Sequence, residues 1–206
     1  MTLFETWQIP RGAASDGVIV CWFLFAATFA LRFWLRRKEP RAQESKHDHM
    51  ATVGIALEGV GYCIVSSQVF RRDQFVPFVA GSQALEWGLG ALAVGIAAAS
   101  VGLTNAAVLR LGKQWALAAR LVEGHALIQD GPYGIVRNPI YLAMFGMLLA
   151  TGLVATQWIW LAVASLLFLA GTYVRVRSEE RLLRGAFGGA FDEYARKVPA
   201  FIPGVY

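Results

Sequence analysis

The hydrophobic residues of this chain are gathered into four long runs separated by polar segments. Positions 17–35 and 50–70 hold one charged residue each, and positions 87–109 hold none. The fourth run, positions 140–174, is uncharged over 35 residues. A helix needs roughly 20 apolar residues to cross a bilayer. Each of the first three runs therefore predicts one transmembrane helix.

The fourth run is too long for one spanning helix and suits two. We interpret it as a tight helical hairpin whose turn lies near positions 151–157, where Gly152 and Gln157 can interrupt the helix. The pattern thus predicts an all-α integral membrane protein with about five transmembrane helices. An amphipathic cytosolic helix follows, because apolar residues between Leu182 and Val198 recur at helical spacing.

The positions of the basic residues predict an orientation. With five spans and the N-terminus outside, 16 of the 19 Lys and Arg residues fall on the inner side, as the positive-inside rule requires. The C-terminus is then cytosolic, and in a bacterium the membrane would be the inner one. The net charge of +5 is accordingly assigned to cytoplasmic loops beside membrane lipids and not to nucleic-acid binding.

Composition agrees with this interpretation. The chain is 56% hydrophobic and 16% charged, whereas a soluble domain carries about 25% charged residues. Both cysteines lie in apolar runs, which excludes a disulfide scaffold. The first run is followed by a basic cluster and is longer than a signal-peptide core, so we expect it to be retained as a span.

The polar segment before the fourth run contains a turn and a helix start. Gly131–Gly134 has the sequence GPYG, which is typical of a turn. Asn138 suits the N-cap and Pro139 the first turn of the helix that follows. Arg137 has two interpretations at this stage: an interfacial anchor whose charge reaches the headgroups, or part of a site.

The polar segment after the hairpin begins with an adjacent acid pair. Glu179 and Glu180 lie where the fifth helix is expected to continue beyond its apolar part. The pair suits either a solvated face neutralised by nearby arginines or a desolvated site at the mouth of the helical bundle.

These two segments resemble a known family. The stretch 131–142, GPYGIVRNPIYL, resembles the GPY…vRHPxYl signature of the isoprenylcysteine carboxyl methyltransferase family and related phospholipid methyltransferases. The stretch 177–203 resembles the family's R-x-EE-x-L…FG…Y…vPxfiP tail, and 111–115, LGKQW, is similar to its LGxxW element. The resemblance covers roughly the C-terminal half of the chain.

The resemblance implies a membrane-embedded methyltransferase that uses S-adenosyl-L-methionine and takes a lipophilic methyl acceptor from the bilayer. A prenylcysteine-type carboxylate is the favoured acceptor; a phospholipid amine or a small molecule methylated on nitrogen or sulfur is the alternative. Residues 111–206 would then form the cofactor-binding region, and residues 1–110 a three-span region for packing and substrate access. The implied cofactor-binding residues are Tyr133, Arg137, Asn138, Pro139, Tyr141, Glu179 and Glu180.

Arg137 and Glu180 are the expected catalytic residues. A glutamate at 179 or 180 can meet the cofactor's ammonium, and the planar fork of Arg137 can hold its carboxylate. The chain departs from the family at Asn138, where His is usual, so an acid–base role there is in doubt because an amide does not titrate near neutrality. Phe191 likewise replaces an expected Tyr.

Glu58 lies near the middle of the second span, and a carboxylate at that depth is a functional candidate. It could line the acceptor's passage, or it could be protonated or paired with Asn105 or another polar group; pairing or protonation is the favoured interpretation. The three histidines form no metal-ligand pattern, so no metal site is expected. A non-enzymatic membrane carrier or assembly protein is the alternative from another class, and the oligomeric state stays open.

Overall fold

A computed structural model describes residues 8–36, 50–69, 83–112, 126–155 and 158–201. Their secondary structure is helical, with no strand in these ranges, which confirms the predicted all-α class. The helices, in chain order, are α1 (Gln8–Arg36), α2 (Met50–Val69), α3 (Gln83–Leu111), α4 (Pro139–Ala155), α5 (Trp158–Phe187) and α6 (Gly189–Lys197). A short 3-10 helix, Gly131–Gly134, precedes α4 at the predicted turn.

Among the residues described, four helices are long and apolar enough to cross a membrane, within Ala13–Leu35, Met50–Ser67, Trp87–Leu111 and Trp158–Phe187. The apolar helix α4 has 17 residues, at the lower end of the range of about 17–25 for a spanning helix. The chain is therefore an integral membrane protein, as its hydrophobic runs predict.

The predicted hairpin is present, and the break between its helices falls within the expected range 151–157, but the role expected of Gly152 is wrong. Gly152 does not interrupt the helix: α4 continues to Ala155, and α5 begins at Trp158. A Cβ on Gly152 would lie 2.3 Å from a methyl carbon of Leu161. The glycine therefore lets α5 approach α4 closely beside the turn, while Gln157 lies outside the described residues.

The most extensive helix contact joins α2 to α5, and α3 packs against both α1 and α4. Two glycines face each other between α2 and α5: a Cβ on Gly54 would lie 2.6 Å from the carbonyl oxygen of Gly171, and a Cβ on Gly171 would lie 2.6 Å from that of Gly54. Small residues allow helix backbones in lipid to come this close. The approach brings the side chains next to these glycines into direct contact.

Helix α5 continues 13 residues past the end of the uncharged run, as far as Phe187, before the chain turns. The turn uses Gly188 with φ of 51°, a left-handed conformation that glycine adopts without steric cost. The amphipathic helix α6 then folds back and buries Phe191 and Tyr194 against Leu183. The C-terminal amphipathic helix expected from the sequence is thus α6.

Candidate functional site

The candidate site lies where α4 begins, beside the part of α5 that carries the acid pair. Three segments meet there: the 3-10 helix before α4, the middle of α5, and residues 198–201, which follow α6 and which we call the tail. The site residues expected from the sequence are all among the described residues. Trp115 of the LGxxW element and positions 202–203 lie outside them.

Arg137 fastens these segments together. Its Nε and Nη2 donate to Glu180 Oε1 at 2.9 and 2.8 Å, and its Nη1 donates to the backbone carbonyls of Ala195, at 2.8 Å, and Val198. Four of its five N–H groups therefore have protein acceptors. Its backbone N–H also donates to Pro199 O at 2.8 Å. In this arrangement the Arg137–Glu180 pair holds the tail against the start of α4.

Asn138 contributes to the same fastening. Its backbone carbonyl accepts from the Leu142 N–H at 3.2 Å, so it occupies the expected N-cap position, and Pro139 opens the helix as expected. Its side-chain amide donates to Ala200 O at 2.8 Å. The amide at this position thus binds the tail, an interaction that needs a donor and no titratable proton.

Tyr141 and Glu179 form the centre of the site. The buried Tyr141 donates its hydroxyl to Glu179 Oε1. The guanidinium carbon of Arg175 lies 4.6 Å from the centre of the Tyr141 ring, in cation–π geometry. Tyr141 therefore separates a buried cation on its ring face from a carboxylate at its hydroxyl.

Arg175 joins this centre to α2 through Glu58. Its Nη1 donates to Glu58 Oε2 at 2.7 Å, and Thr172 donates its hydroxyl to Glu58 Oε1 at 3.0 Å. The Glu58 and Arg175 side chains are only 3% and 7% exposed. The expectation that Glu58 is paired across the bundle is confirmed, but the partner is not Asn105, which hydrogen-bonds Thr28 instead.

Two tyrosines support the loop around the 3-10 helix. Tyr194 of α6 donates its hydroxyl to the backbone carbonyl of Tyr133 at 2.6 Å. Burial, the larger effect, raises the pKa of Tyr194 to about 12, and burial likewise raises the pKa of Tyr133. Both hydroxyls therefore stay protonated at neutral pH, and the hydrogen bond from α6 to the loop persists there.

Five charged side chains make up what we call the charged cluster: Glu58, Arg137, Arg175, Glu179 and Glu180. With its carboxylates ionised, the cluster carries two positive and three negative charges, hence one net negative charge. Arg137 pairs with Glu180 and Arg175 pairs with Glu58. Within the described part of the chain, no basic side chain lies within ion-pair distance of Glu179, which accepts a hydrogen bond from Tyr141 and is not ion-paired as Glu58 and Glu180 are.

Arg175 was not among the predicted site residues. It directly follows the last uncharged position, where an arginine is expected to flank the membrane. A usable signal was present nonetheless: a carboxylate at the depth of Glu58 needs a cationic partner from another span. Arg175 is the basic residue adjacent to an uncharged run on the neighbouring helix.

Comparison with known proteins supports the family resemblance. Residues 92–185 match the model of the Isoprenylcysteine carboxyl methyltransferase (ICMT) family. The match covers α4, most of α3 and α5, and all members of the charged cluster except Glu58. The resemblance inferred from the sequence motifs is thereby confirmed.

Three curated relatives are similar over about half of the chain. The Cobalt-zinc-cadmium resistance protein CzcN of Cupriavidus metallidurans is 31% identical over 105 residues, which are 50% of this chain and 48% of the relative. The Nickel-cobalt-cadmium resistance protein NccN of Alcaligenes xylosoxydans xylosoxydans is 31% identical over 107 residues, 50% and 49% of the two chains.

The third relative is the Protein-S-isoprenylcysteine O-methyltransferase of Schizosaccharomyces pombe, 29% identical over 103 residues, which are 49% of this chain and 44% of the relative. The chain thus spans about half the length of each curated relative that it matches.

Proposed function

We propose that this chain, whose residues 92–185 match the model of the isoprenylcysteine carboxyl methyltransferase family, is a membrane-embedded S-adenosyl-L-methionine-dependent methyltransferase. The acceptor we propose is lipophilic and carries a carboxylate, as in a prenylated cysteine. The relative from Schizosaccharomyces pombe, whose name describes O-methylation of isoprenylcysteine, supports this choice.

The carboxylate of Glu179, which has no ion-pair partner among the described residues, is the observation that carries the proposal. It is half-buried beside the Tyr141 ring and has no basic partner within the described residues. A desolvated carboxylate without a counter-ion is costly in the absence of a ligand. A cationic ligand compensates it, and an aromatic ring beside a carboxylate suits an ammonium or sulfonium group.

The other residues of the site fit the same cofactor. The remaining N–H of Arg137 and the free N–H groups at the start of α4 can bind a ligand carboxylate. Asn138 and the Arg137–Glu180 pair hold the tail over the site and thereby restrict access of water. When bound, S-adenosylmethionine supplies an electrophilic methyl group whose bond to sulfur breaks as a carboxylate oxygen of the acceptor bonds to the carbon.

The protein's contribution to such a reaction is alignment, and the acceptor requires no proton transfer. A carboxylate acceptor is already ionised at neutral pH, and the leaving thioether is neutral. The chain therefore needs no general base, in keeping with an amide at Asn138. Its task is to hold two ligands in line and keep water out.

We further propose that the site faces the cytosol, with the N-terminus outside. This orientation follows from the bias of basic residues, and the site then lies at the side of the membrane where a soluble cofactor is available. The acceptor would approach laterally from the bilayer.

Cofactor binding tests the proposal directly. Titration calorimetry on the full chain in detergent should detect S-adenosylmethionine, and Glu179→Gln should weaken the affinity about 10–100-fold, the value of a hydrogen bond to a charged group. Glu193→Gln removes a carboxylate from the exposed face of α6 and should leave the affinity unchanged. Absence of binding by the wild-type chain would refute the proposal.

Methyl transfer needs a separate experiment. Membranes containing the wild-type chain should transfer label from methyl-labelled S-adenosylmethionine to a prenylcysteine carboxylate, and membranes with Glu179→Gln should not. Labelling of a phospholipid or a small thiol, identified by mass spectrometry, would overturn the proposed acceptor while leaving cofactor use intact.

A further inference from the structure

Two carboxylates, Glu58 and Glu179, are placed to pair with Arg175. The ion pair forms with Glu58, which is the more distant of the two in sequence. Glu179 lies four residues further along α5, a spacing at which side chains of one helix face meet. The guanidinium is directed instead to Glu58 of α2, at 2.7 Å. The choice leaves Glu179 without a basic partner among the described residues.

The approach of α2 to α5 makes this choice possible. A Cβ on Gly54 would lie 2.4 Å from Cγ of Arg175, and a Cβ on Gly171 would lie 3.0 Å from Cγ of Glu58. Because neither glycine has a side chain, the space between α2 and α5 is open to Arg175 and Glu58, and the two side chains meet there. Thr172 holds the second carboxylate oxygen of Glu58 at 3.0 Å, which fixes the acid in place.

The charge of the site depends on this arrangement. The charged cluster has one net negative charge, located at Glu179 because the other four members are paired. S-adenosylmethionine carries an ammonium, a carboxylate and a sulfonium, hence one net positive charge. Its demethylated product, S-adenosylhomocysteine, has lost the sulfonium charge and is neutral overall.

We propose that Glu58 is a specificity-determining residue: by holding Arg175 it keeps Glu179 available for a cation, so that the site prefers the charged cofactor to its neutral product. This inference rests on the proposed function. It adds to the site a residue of α2, which lies outside the 92–185 segment that matches the family.

A preference of this kind bears on product release. Once the methyl group has left, the ligand keeps its ammonium and carboxylate but has lost the sulfonium charge, so the charged cluster and its ligand together again carry one net negative charge in a desolvated site. The product is then held less tightly than the cofactor that replaces it. Glu58 contributes to turnover without touching the ligand, by controlling which acid Arg175 neutralises.

The test is a ratio of two affinities, measured by calorimetry on the full chain in detergent. Wild-type protein should bind S-adenosylmethionine more tightly than S-adenosylhomocysteine. In Glu58→Gln, Arg175 turns to Glu179 and the ratio should fall about tenfold, equal to 1.4 kcal/mol, with product affinity changed less than cofactor affinity. A residue that only supports the fold would weaken both ligands equally, and that result overturns the proposal.

Charge rescue separates the effect from damage to packing. The double variant Glu58→Gln/Arg175→Gln removes the pair together, returns the cluster to one net negative charge at Glu179, and should restore the ratio. Failure to restore it contradicts the inference. Arg175→Gln alone should raise the ratio above that of the wild type, and the double variant, which leaves no unpaired buried charge, serves if either single variant does not fold.

Two controls complete the experiment. Glu193→Gln removes one carboxylate and one exposed ion pair at α6, and should leave the ratio unchanged. A wild-type chain that binds neither ligand defeats the proposed function itself. A wild-type chain that binds both ligands with a ratio insensitive to Glu58 defeats the present inference alone.

Discussion

Two arginine–glutamate pairs lie a short distance apart in this protein and have different tasks. The Glu58–Arg175 pair joins two long apolar helices and is 3% and 7% exposed. The Arg137–Glu180 pair lies at the start of α4, is 12% and 13% exposed, and also binds two backbone carbonyls near the tail. One pair determines where charge lies in the site, and the other holds a chain segment over it.

The difference shows how surroundings decide what an ion pair contributes. Arg137 has so many backbone acceptors that losing it would release a segment of chain. Arg175 pairs with the buried Glu58 and lies over an aromatic ring, so losing it would leave a carboxylate in an apolar interior. Removing one member of a fully buried pair is the more damaging change, because the remaining charge is uncompensated.

Arg175→Met should therefore have the largest effect on stability. It leaves Glu58 buried between α2 and α5 without its cation, at a cost of about 3–5 kcal/mol. Thermal unfolding in detergent should show a large loss. The matched control is Arg177→Met, two residues away on an exposed position, which should stay within about 0.5 kcal/mol of the wild type. Equal effects would contradict the distinction between the two positions.

Arg137→Lys should have a smaller and local effect. The amine cannot reproduce the fork that binds Glu180 and the carbonyls of Ala195 and Val198, and losing a charged hydrogen bond costs about 1.5–3 kcal/mol. The tail should open while the helical bundle stays folded. Limited proteolysis should cut the C-terminal segment sooner, with an unchanged main melting transition. Slower cleavage, or unfolding of the whole helical bundle, would show that the role of Arg137 is not to hold the tail in place.

Gly54→Ala should have the smallest effect of the three. Its Cβ would meet Arg175 Cγ at 2.4 Å and Gly171 O at 2.6 Å, so α2 and α5 must move apart. Overpacking of this kind costs about 1–3 kcal/mol, and it should also weaken the Glu58–Arg175 pair. Gly59→Ala is the control, because its Cβ meets nothing within 4 Å. If thermal unfolding shows the same result for both variants, the close contact at Gly54 is not a constraint.

Much of the fold follows from the sequence because lipid imposes simple rules. Backbone groups in a bilayer must be satisfied internally, so long apolar runs become helices. The runs, the helix start at Pro139 and the amphipathic helix α6 were all predictable for this reason. The role of Gly152 was not predictable, because a glycine can either end a helix or allow another helix to pack closely. The contact with Leu161 shows that close packing is its role here. The division of the chain at residue 110 stays a prediction.

The candidate site was predictable in its members and less so in its connections. The motifs named Arg137, Tyr141, Glu179 and Glu180, and local sequence placed them near the start of α4 and along α5. Local sequence does not determine which glutamate forms an ion pair with each arginine. Arg175 could have paired with Glu179 on its own helix, and it pairs with Glu58 instead.

By itself, then, the sequence determined the helices, the acid pair and the family-like motifs, since these depend on composition and short-range spacing. Only the tertiary structure decided that Glu58 and Arg175 join the charged cluster and that its surplus carboxylate is Glu179. That outcome depends on the contact of two glycines from helices more than a hundred residues apart in the chain, which brings Glu58 within 2.7 Å of Arg175. The partner of a buried charge is set by which helices lie side by side, and in this protein that choice leaves one carboxylate open at the site.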